Sequence, residues 1–299
     1  HGVDWNARRA LAPAPGAQMT DNALKALLLR ALEGLDDGHV HFGSYQIGYE
    51  SPSRAPDWFP TDNSFDRDGL VQIARNTLGV TLTPVDQTAI EYALLPDGVG
   101  YVMIREIGVD TPFGSTDFKA MSLAFAGVAN ALQDAKAIII DLRYNPGGSD
   151  TVSFAIASHF TAQPVDVLTK TTRDGDSQTA PFTATLQPFD TKPLGQPVIV
   201  LTSKLTGSAA EILTMALREM PQVTVMGEAT SGRLSDVLGF KLPNGWDFGL
   251  SHQTYRTMEG EFFEAIGIPP DILFAIEAAP LISGEDPLLR AAFERARGG

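Results

Sequence analysis

Pro197-Val198-Ile199-Val200-Leu201-Thr202-Ser203-Lys204-Leu205-Thr206-Gly207-Ser208-Ala209-Ala210-Glu211-Ile212-Leu213-Thr214-Met215-Ala216-Leu217 is the stretch from which the rest of the chain is read. Val198 to Leu201 is a β-branched apolar run of strand length, short enough for a strand buried on both faces. Thr202 to Gly207 is mostly polar and turn-forming. Ile212, Leu213, Met215, Ala216 and Leu217 then fall on one face of a helix. Strand, turn and helix place Ser208 at the junction, and two readings of it stand side by side. With Glu211 three residues on, it is the signature of a capping box, the hydroxyl accepting from the Glu211 N–H and the carboxylate reaching back. The same hydroxyl faces the positive end of a helix dipole, with the Ala209 N–H aimed at any oxyanion formed when Ser208 attacks a carbonyl. A nucleophile needs a base, and none is adjacent in sequence.

Upstream, Val99 to Ile104 reads as a strand, Phe118 to Leu132 as a helix and Ala137 to Leu142 as a buried parallel strand, an order that implies a right-handed crossover. The last strand runs into Arg143-Tyr144-Asn145-Pro146-Gly147-Gly148. Asn-Pro-Gly-Gly is a turn, and Gly147 or Gly148 can also leave an N–H facing a ligand at the C-terminal end of the strand. Neither GxGxxG nor GxxxxGK spacing is present, so a phosphate loop is not expected.

Nearer the N-terminus, Trp5 to Leu11 suggests a short helix. Thr20 or Asp21 caps a second expected helix over Ala23 to Leu35, which stops at Asp36-Asp37-Gly38. His39 and His41 follow, alternating with Val40 and Phe42. They read as a surface turn and strand, or as a source of an imidazole base. A zinc site lacks a third ligand nearby. From Gly43 to Pro96, prolines and glycines interrupt short runs, with a helix expected over Gly69 to Leu78 and strands over Val80 to Leu82 and Ile90 to Leu95. The segment is too short for a full PDZ-type module. Downstream, a helix is expected over Ser149 to Phe160, a strand over Pro164 to Thr171 and a polar hairpin over Thr172 to Gln187. A strand over Val223 to Met226, a hairpin about Pro243-Asn244-Gly245 and a helix over Pro287 to Arg297 complete the reading.

The 299 residues, 43% hydrophobic, suffice for a sizeable core in one or two domains. A net charge of -14, with no stripe of Lys and Arg, argues against nucleic-acid binding. The absence of Cys excludes disulfides, thiolate metal sites and a Cys nucleophile. No apolar run reaches bilayer length. The chain opens at His1 with no basic-then-apolar leader and reads as processed, with a secreted or periplasmic location the expectation.

Five blocks occur in order: Asp37-Gly38-His39, Asp141 to Gly148, Thr206-Gly207-Ser208-Ala209-Ala210-Glu211, Gly227-Glu228-Ala229-Thr230-Ser231-Gly232, and Gly267-Ile268-Pro269-Pro270-Asp271. Together they resemble the C-terminal processing (tail-specific) serine proteases and their relatives, tricorn protease and interphotoreceptor retinoid-binding protein. The resemblance runs from about Ala23 to Ile272. It implies a crotonase-like α/β core, Ser208 as nucleophile, and oxyanion donors from the backbone of Gly147 and Ala209. Where the tail-specific branch has its catalytic Lys, this sequence has Arg233, which stays protonated and cannot take a proton from Ser208. The tricorn-like branch instead implies His39 as base and Glu264 as the carboxylate behind it, with Glu261 and Glu259 close enough for a shift of register.

The resulting expectation is a serine peptidase acting through an acyl-enzyme on peptide or protein substrates, with no cofactor and no metal. A homo-oligomer is a further expectation. The alternatives are a non-catalytic binder of apolar ligands on the same fold, and an esterase. The expected division is an N-terminal helical subdomain over 1–42, a bridging segment over 43–96 and an α/β catalytic core over 97–299.

Overall fold

The computed structural model describes residues 3–14, 16–44, 47–51, 55–59, 66–109, 118–175, 177–190 and 192–298. Parts of the expected bridging segment, including Pro52 and Pro60, lie outside them. The chain begins with α1 (Trp5–Arg9), α2 (Asp21–Leu32), β1 (His41–Gly43) and β2 (Gly48–Glu50). Next come α3 (Arg67–Leu78), β3 (Thr83–Pro84), β4 (Thr88–Leu94), β5 (Val99–Val109), α4 (Phe118–Ala131) and β6 (Ala137–Asp141). These lead to α5 (Asp150–Ala157), β7 (Val165–Asp174), β8 (Ser177–Gln178), β9 (Phe182–Leu186), β10 (Val198–Thr202), α6 (Ala209–Arg218) and β11 (Val223–Gly227). The remainder is β12 (Val237–Lys241), β13 (Asp247–Ser251), β14 (Gln253–Arg256), β15 (Ile272–Leu273), α7 (Ala278–Ile282) and α8 (Pro287–Gly298). The fold is mixed α/β.

Two units result, His1–Ser53 with Ser235–Gln253, and Arg54–Leu234 with Thr254–Gly299. The second is built on a sheet of order β15-β11-β10-β6-β5-β4-β3. Strands β5, β6, β10 and β11 run parallel, and β4 pairs antiparallel to β5. Alternate residues of the central strands point to opposite faces, and both faces are covered. Ile138, Ile140 and Val200 join one apolar layer with Phe125 and Ile212. Ile139, Ile199 and Leu201 join the other with Leu70 and Leu289. This is why β6 and β10 read as unbroken apolar runs: every residue of both is buried.

The first unit is a four-stranded sheet of order β12-β13-β1-β2 around Leu32, Val40, Phe42 and Trp246. Phe42 stacks on Tyr49, Trp246 and Phe248 at centroid distances of 5.3, 6.1 and 6.2 Å. Helix α2 is capped by the Thr20 side chain, which accepts from Ala23 N–H at 3.2 Å. It ends at Leu32, short of the expected Leu35, because Glu33 leaves the helical region at φ -54 and ψ 127 and Gly34 takes φ +73. Leu35 still packs against the core, so the apolar stripe outlasts the helix. The turn and strand expected about the histidines form, with His39 in the turn and His41 opening β1.

Segment 43–96 supplies β2 to the first unit and α3, β3 and β4 to the second. The strand expected over Val80 to Leu82 is absent, and Thr83–Pro84 pairs with β4 instead. The hairpin of β12 and β13 joins the first unit because β13 pairs with β1, His41 opposite Gly249. Among the described residues no helix is long and apolar enough to cross a membrane.

Candidate active site

β10 ends at Thr202, and the loop that follows is strapped to the turn after β6. Thr206 Oγ1 donates to Leu142 O at 2.8 Å, Ser203 Oγ donates to Arg143 O, and Gly207 N–H donates to Asn145 O at 3.0 Å. These bonds hold the strand-to-helix turn in place while Ser208 enters α6 at φ 52 and ψ -126. A positive φ at a residue with a Cβ is uncommon and is held only by surrounding structure.

The surroundings here centre on Glu211. The capping box forms, with Ser208 N–H donating to Glu211 Oε2 at 3.0 Å. The same carboxylate accepts from Thr230 Oγ1 at 2.6 Å, Gly232 N–H at 2.7 Å and Arg233 N–H at 2.8 Å. The bland and the catalytic readings of Ser208 are compatible, because the carboxylate half of the cap uses the Ser208 backbone and does not depend on the hydroxyl. Ser153 Oγ, donating to Ala209 O at 2.6 Å, ties the first turn of α6 to α5. Among the described residues the Ala209 N–H has no backbone or side-chain acceptor.

Burial pushes the Glu211 carboxyl up to about 7 from 4.5, against four donors that favour the ionised form. Between those values the folded protein holds a proton that the unfolded chain has released. Stability contributed by this group therefore falls as pH rises through that window, by about 3 kcal/mol across it. His159, pushed down to about 4 from 6.5 by burial, has the opposite slope below 6.5. Comparing urea unfolding of the parent with Glu211→Gln near pH 5 and pH 7.5 isolates the first effect: the parent is expected to lose stability relative to the variant. An unchanged difference would refute it.

The Asn145–Gly148 turn packs directly on the Ser208 turn. Gly147 has φ +120, and a Cβ there would lie 2.5 Å from Ser208 Cβ and 3.0 Å from Ala209 N, so only glycine fits. Its N–H donates to Asn145 Oδ1 at 2.8 Å, and its carbonyl accepts from Ile107 N–H at 2.8 Å. Behind the turn, Arg143 is 1% exposed and is held by Asp141 and by Asp286 Oδ1, each at 2.7 Å.

Glu264 is 5% exposed, and its Oε2 accepts from Leu234 N–H at 2.9 Å. Glu211 and Glu264 thus hold three consecutive N–H groups, those of Gly232, Arg233 and Leu234. Glu259 and Glu261 are exposed.

His39 belongs to the first unit and is half-buried there. Its N–H donates to Asp37 Oδ1 at 2.9 Å, and its carbonyl lies 3.1 Å from His41 Nδ1. Asp37 also accepts from Ser251 N–H and Oγ, fixing the turn to β13. The His41 ring covers Gly249, where a Cβ would meet it at 2.2 Å.

The second unit thus gathers Ser208, Ala209 and Gly147 at one point, with Glu264 anchored beside the segment that Glu211 holds. Sequence reasoning gave Glu211 only a capping role and gave Thr230 and Asn145 none. The signal for them was present, since all three lie inside the ordered blocks.

A family model described as Peptidase family S41 matches residues 98–274. A carboxyl-terminal-processing protease of Synechocystis sp. is 32% identical over 184 residues, covering 59% of this chain and 42% of the relative. The carboxy-terminal processing protease CtpA of Bacillus subtilis is 27% identical over 169 residues, covering 56% of this chain and 34% of the relative. The chain therefore matches less than half the length of these curated relatives. A solved candidate peptidase from Parabacteroides merdae superposes with a TM-score of 0.77 at 26% identity, covering 99% of this chain and 89% of that one.

Proposed function

Because the chain belongs to Peptidase family S41, we propose that it is a serine peptidase working through an acyl-enzyme on Ser208, with His39 as general base and Glu264 orienting it. Ser208 Oγ attacks the scissile carbonyl and its proton passes to His39. The oxyanion is held by Ala209 N–H and by Gly147 N–H, whose bond to Asn145 Oδ1 is exchanged for it. His39 then protonates the leaving amine. Water repeats the sequence on the ester, and Glu264 stays ionised throughout, holding the imidazole tautomer and stabilising the imidazolium.

The observation that carries this reading is the Ser208 turn: a positive-φ serine at a helix start, clamped through its backbone, with the next N–H unused. Burial and fixation of Glu264 favour it over the exposed Glu259 and Glu261. The two anchors on the His39 backbone suit a residue whose ring must keep one orientation. Parallel strands β5, β6, β10 and β11, with the nucleophile at the C-terminal end of β10, suit a crotonase-like core. The reading takes peptides or proteins as substrates and includes self-assembly into a homo-oligomer.

A fluorophosphonate reagent is expected to label Ser208 in the parent, and His39→Ala to slow labelling by about a hundredfold or more. No labelling of the folded parent would leave the apolar-ligand binder as the better reading. An esterase is separated from a peptidase by turnover of peptide and ester substrates of matched sequence.

A further inference from the structure

The large sheet of the second unit ends at β15, and the chain stays extended beyond it. From Asp271 to Glu277 exposed and half-buried residues alternate one by one, the pattern of a strand with a single covered face. Phe274 N–H donates to Gly227 O at 2.8 Å and Ile276 N–H to Glu228 Oε1 at 3.2 Å, so both turn their backbone toward β11. Leu273 and Ala275 alternate with them and turn their N–H groups the other way, and among the described residues those two groups find no acceptor. An open edge of this kind is a template for a further strand, and proteins blunt such edges with proline or charge. Ile272-Leu273-Phe274-Ala275-Ile276 carries neither, and Leu273 is 77% exposed.

A cavity of about 250 Å³ adjoins the same segment. Its walls include Phe274, Ile276, Leu281 and Leu288, and the exposed Ala275 and Glu277 also line it, so it opens on this edge. It is smaller than the about 300 to 1,000 Å³ of pockets that enclose a drug-sized ligand, and suits one apolar side chain. The Arg143 guanidinium on its lining is already met by Asp141 and Asp286 and offers an anion no free positive charge. Glu277, by contrast, forms no ion pair among the described residues. In a chain of net charge -14 this end of the edge favours an incoming cation. A second copy of the chain fits poorly, because antiparallel pairing over Asp271 to Glu277 sets the one acid opposite the other.

We propose that the edge from Leu273 to Glu277 binds an extended peptide segment of another protein, adding it as a further strand beside β15. One apolar side chain of the segment fills the cavity, and a Lys or Arg lies against Glu277. Main-chain bonds along the edge hold such a peptide, and the cavity and the carboxylate select it. The docking edge does not depend on the peptidase reading.

The test selects displayed, randomised dodecapeptides on the full chain and measures the enriched peptides by fluorescence polarisation, with fluorophosphonate labelling of Ser208 followed in parallel. Enriched peptides are expected to combine an apolar residue with Lys or Arg at a fixed spacing. Ala275→Pro removes an outward N–H, a change that edge strands tolerate, and is expected to weaken these peptides by about tenfold or more. The Glu277 side chain makes no cap bond to α7, so Glu277→Lys leaves the helix start in place. That variant is expected to reverse the charge preference, taking the same peptides with Glu in place of Lys or Arg, and it decides the matter should Ala275→Pro unfold. Enriched peptides without these features, peptides bound equally by parent and both variants, or no enrichment at all overturn the proposal. A parent that dimerises in sedimentation equilibrium, and loses the dimer in Leu273→Lys, assigns the edge to a second copy and overturns it too. A parent that binds the peptides but does not label at Ser208 upholds the docking edge and counts against the peptidase reading alone.

Discussion

Ser208→Ala is expected to abolish fluorophosphonate labelling and to lower peptide hydrolysis by about four to six orders of magnitude, as loss of a nucleophile does in serine hydrolases. The effect on folding should be far smaller. The bond from Ser208 N–H to Glu211 Oε2 uses the backbone and survives the substitution. What is lost is the hydroxyl, a change of about 1 kcal/mol at an N-cap. Unfolding in urea, measured beside turnover, separates the two. Retained turnover in the variant would remove Ser208 from the chemistry and leave it as a helix cap.

The largest expected change in stability comes from Asp286→Ala. Arg143 is fully enclosed, and its guanidinium is met on two sides by Asp141 and Asp286, with distances of 2.7 to 2.9 Å. Burial opposes the charge, and the two carboxylates outweigh it, so the Arg143 pKa rises. Tyr101 Oη donates to Asp141 Oδ2 at 2.7 Å, completing the cluster. Asp141 keeps its two bonds to the guanidinium, but removing Asp286 leaves two buried N–H donor bonds of a charged group unmade, which typically destabilises by about 3 kcal/mol. Asp286 Oδ1 also accepts from Leu289 N–H at 3.0 Å, so the start of α8 is weakened as well. Arg143 immediately precedes the turn that packs Gly147 on Ser208. Activity is therefore expected to fall before the protein unfolds globally. A variant as stable as the parent in urea would mean that Arg143 reaches water, contrary to its burial.

Much of the second unit was legible in the chain because its signals are local. Strands β6 and β10 are short, β-branched and apolar up to their last residues, Asp141 and Thr202, and they open into turns whose residues are dictated by backbone geometry. Two errors of extent have local causes too. Leu35 packs without being helical, and Val80 to Leu82 lacks a neighbouring strand in register. The grouping of β12 and β13 with β1 was not legible. It depends on the pairing of residues some two hundred positions apart, and periodicity carries no record of a strand's partner.

The site divides in the same way. By itself the sequence determined that a serine stands where a buried strand turns into a helix, that a glycine-rich turn follows another strand, and that Arg233, which cannot serve as a base, follows Gly232. Only the tertiary structure decided that Glu211 clamps Ser208, Thr230, Gly232 and Arg233 at once, and that Gly147 must lack a side chain because Ser208 fills the space. Local chemistry is written in consecutive residues. The convergence of four donors on one buried carboxylate comes from chain crossings that bring residues 208 and 230 to 233 together, and no short stretch of sequence encodes it.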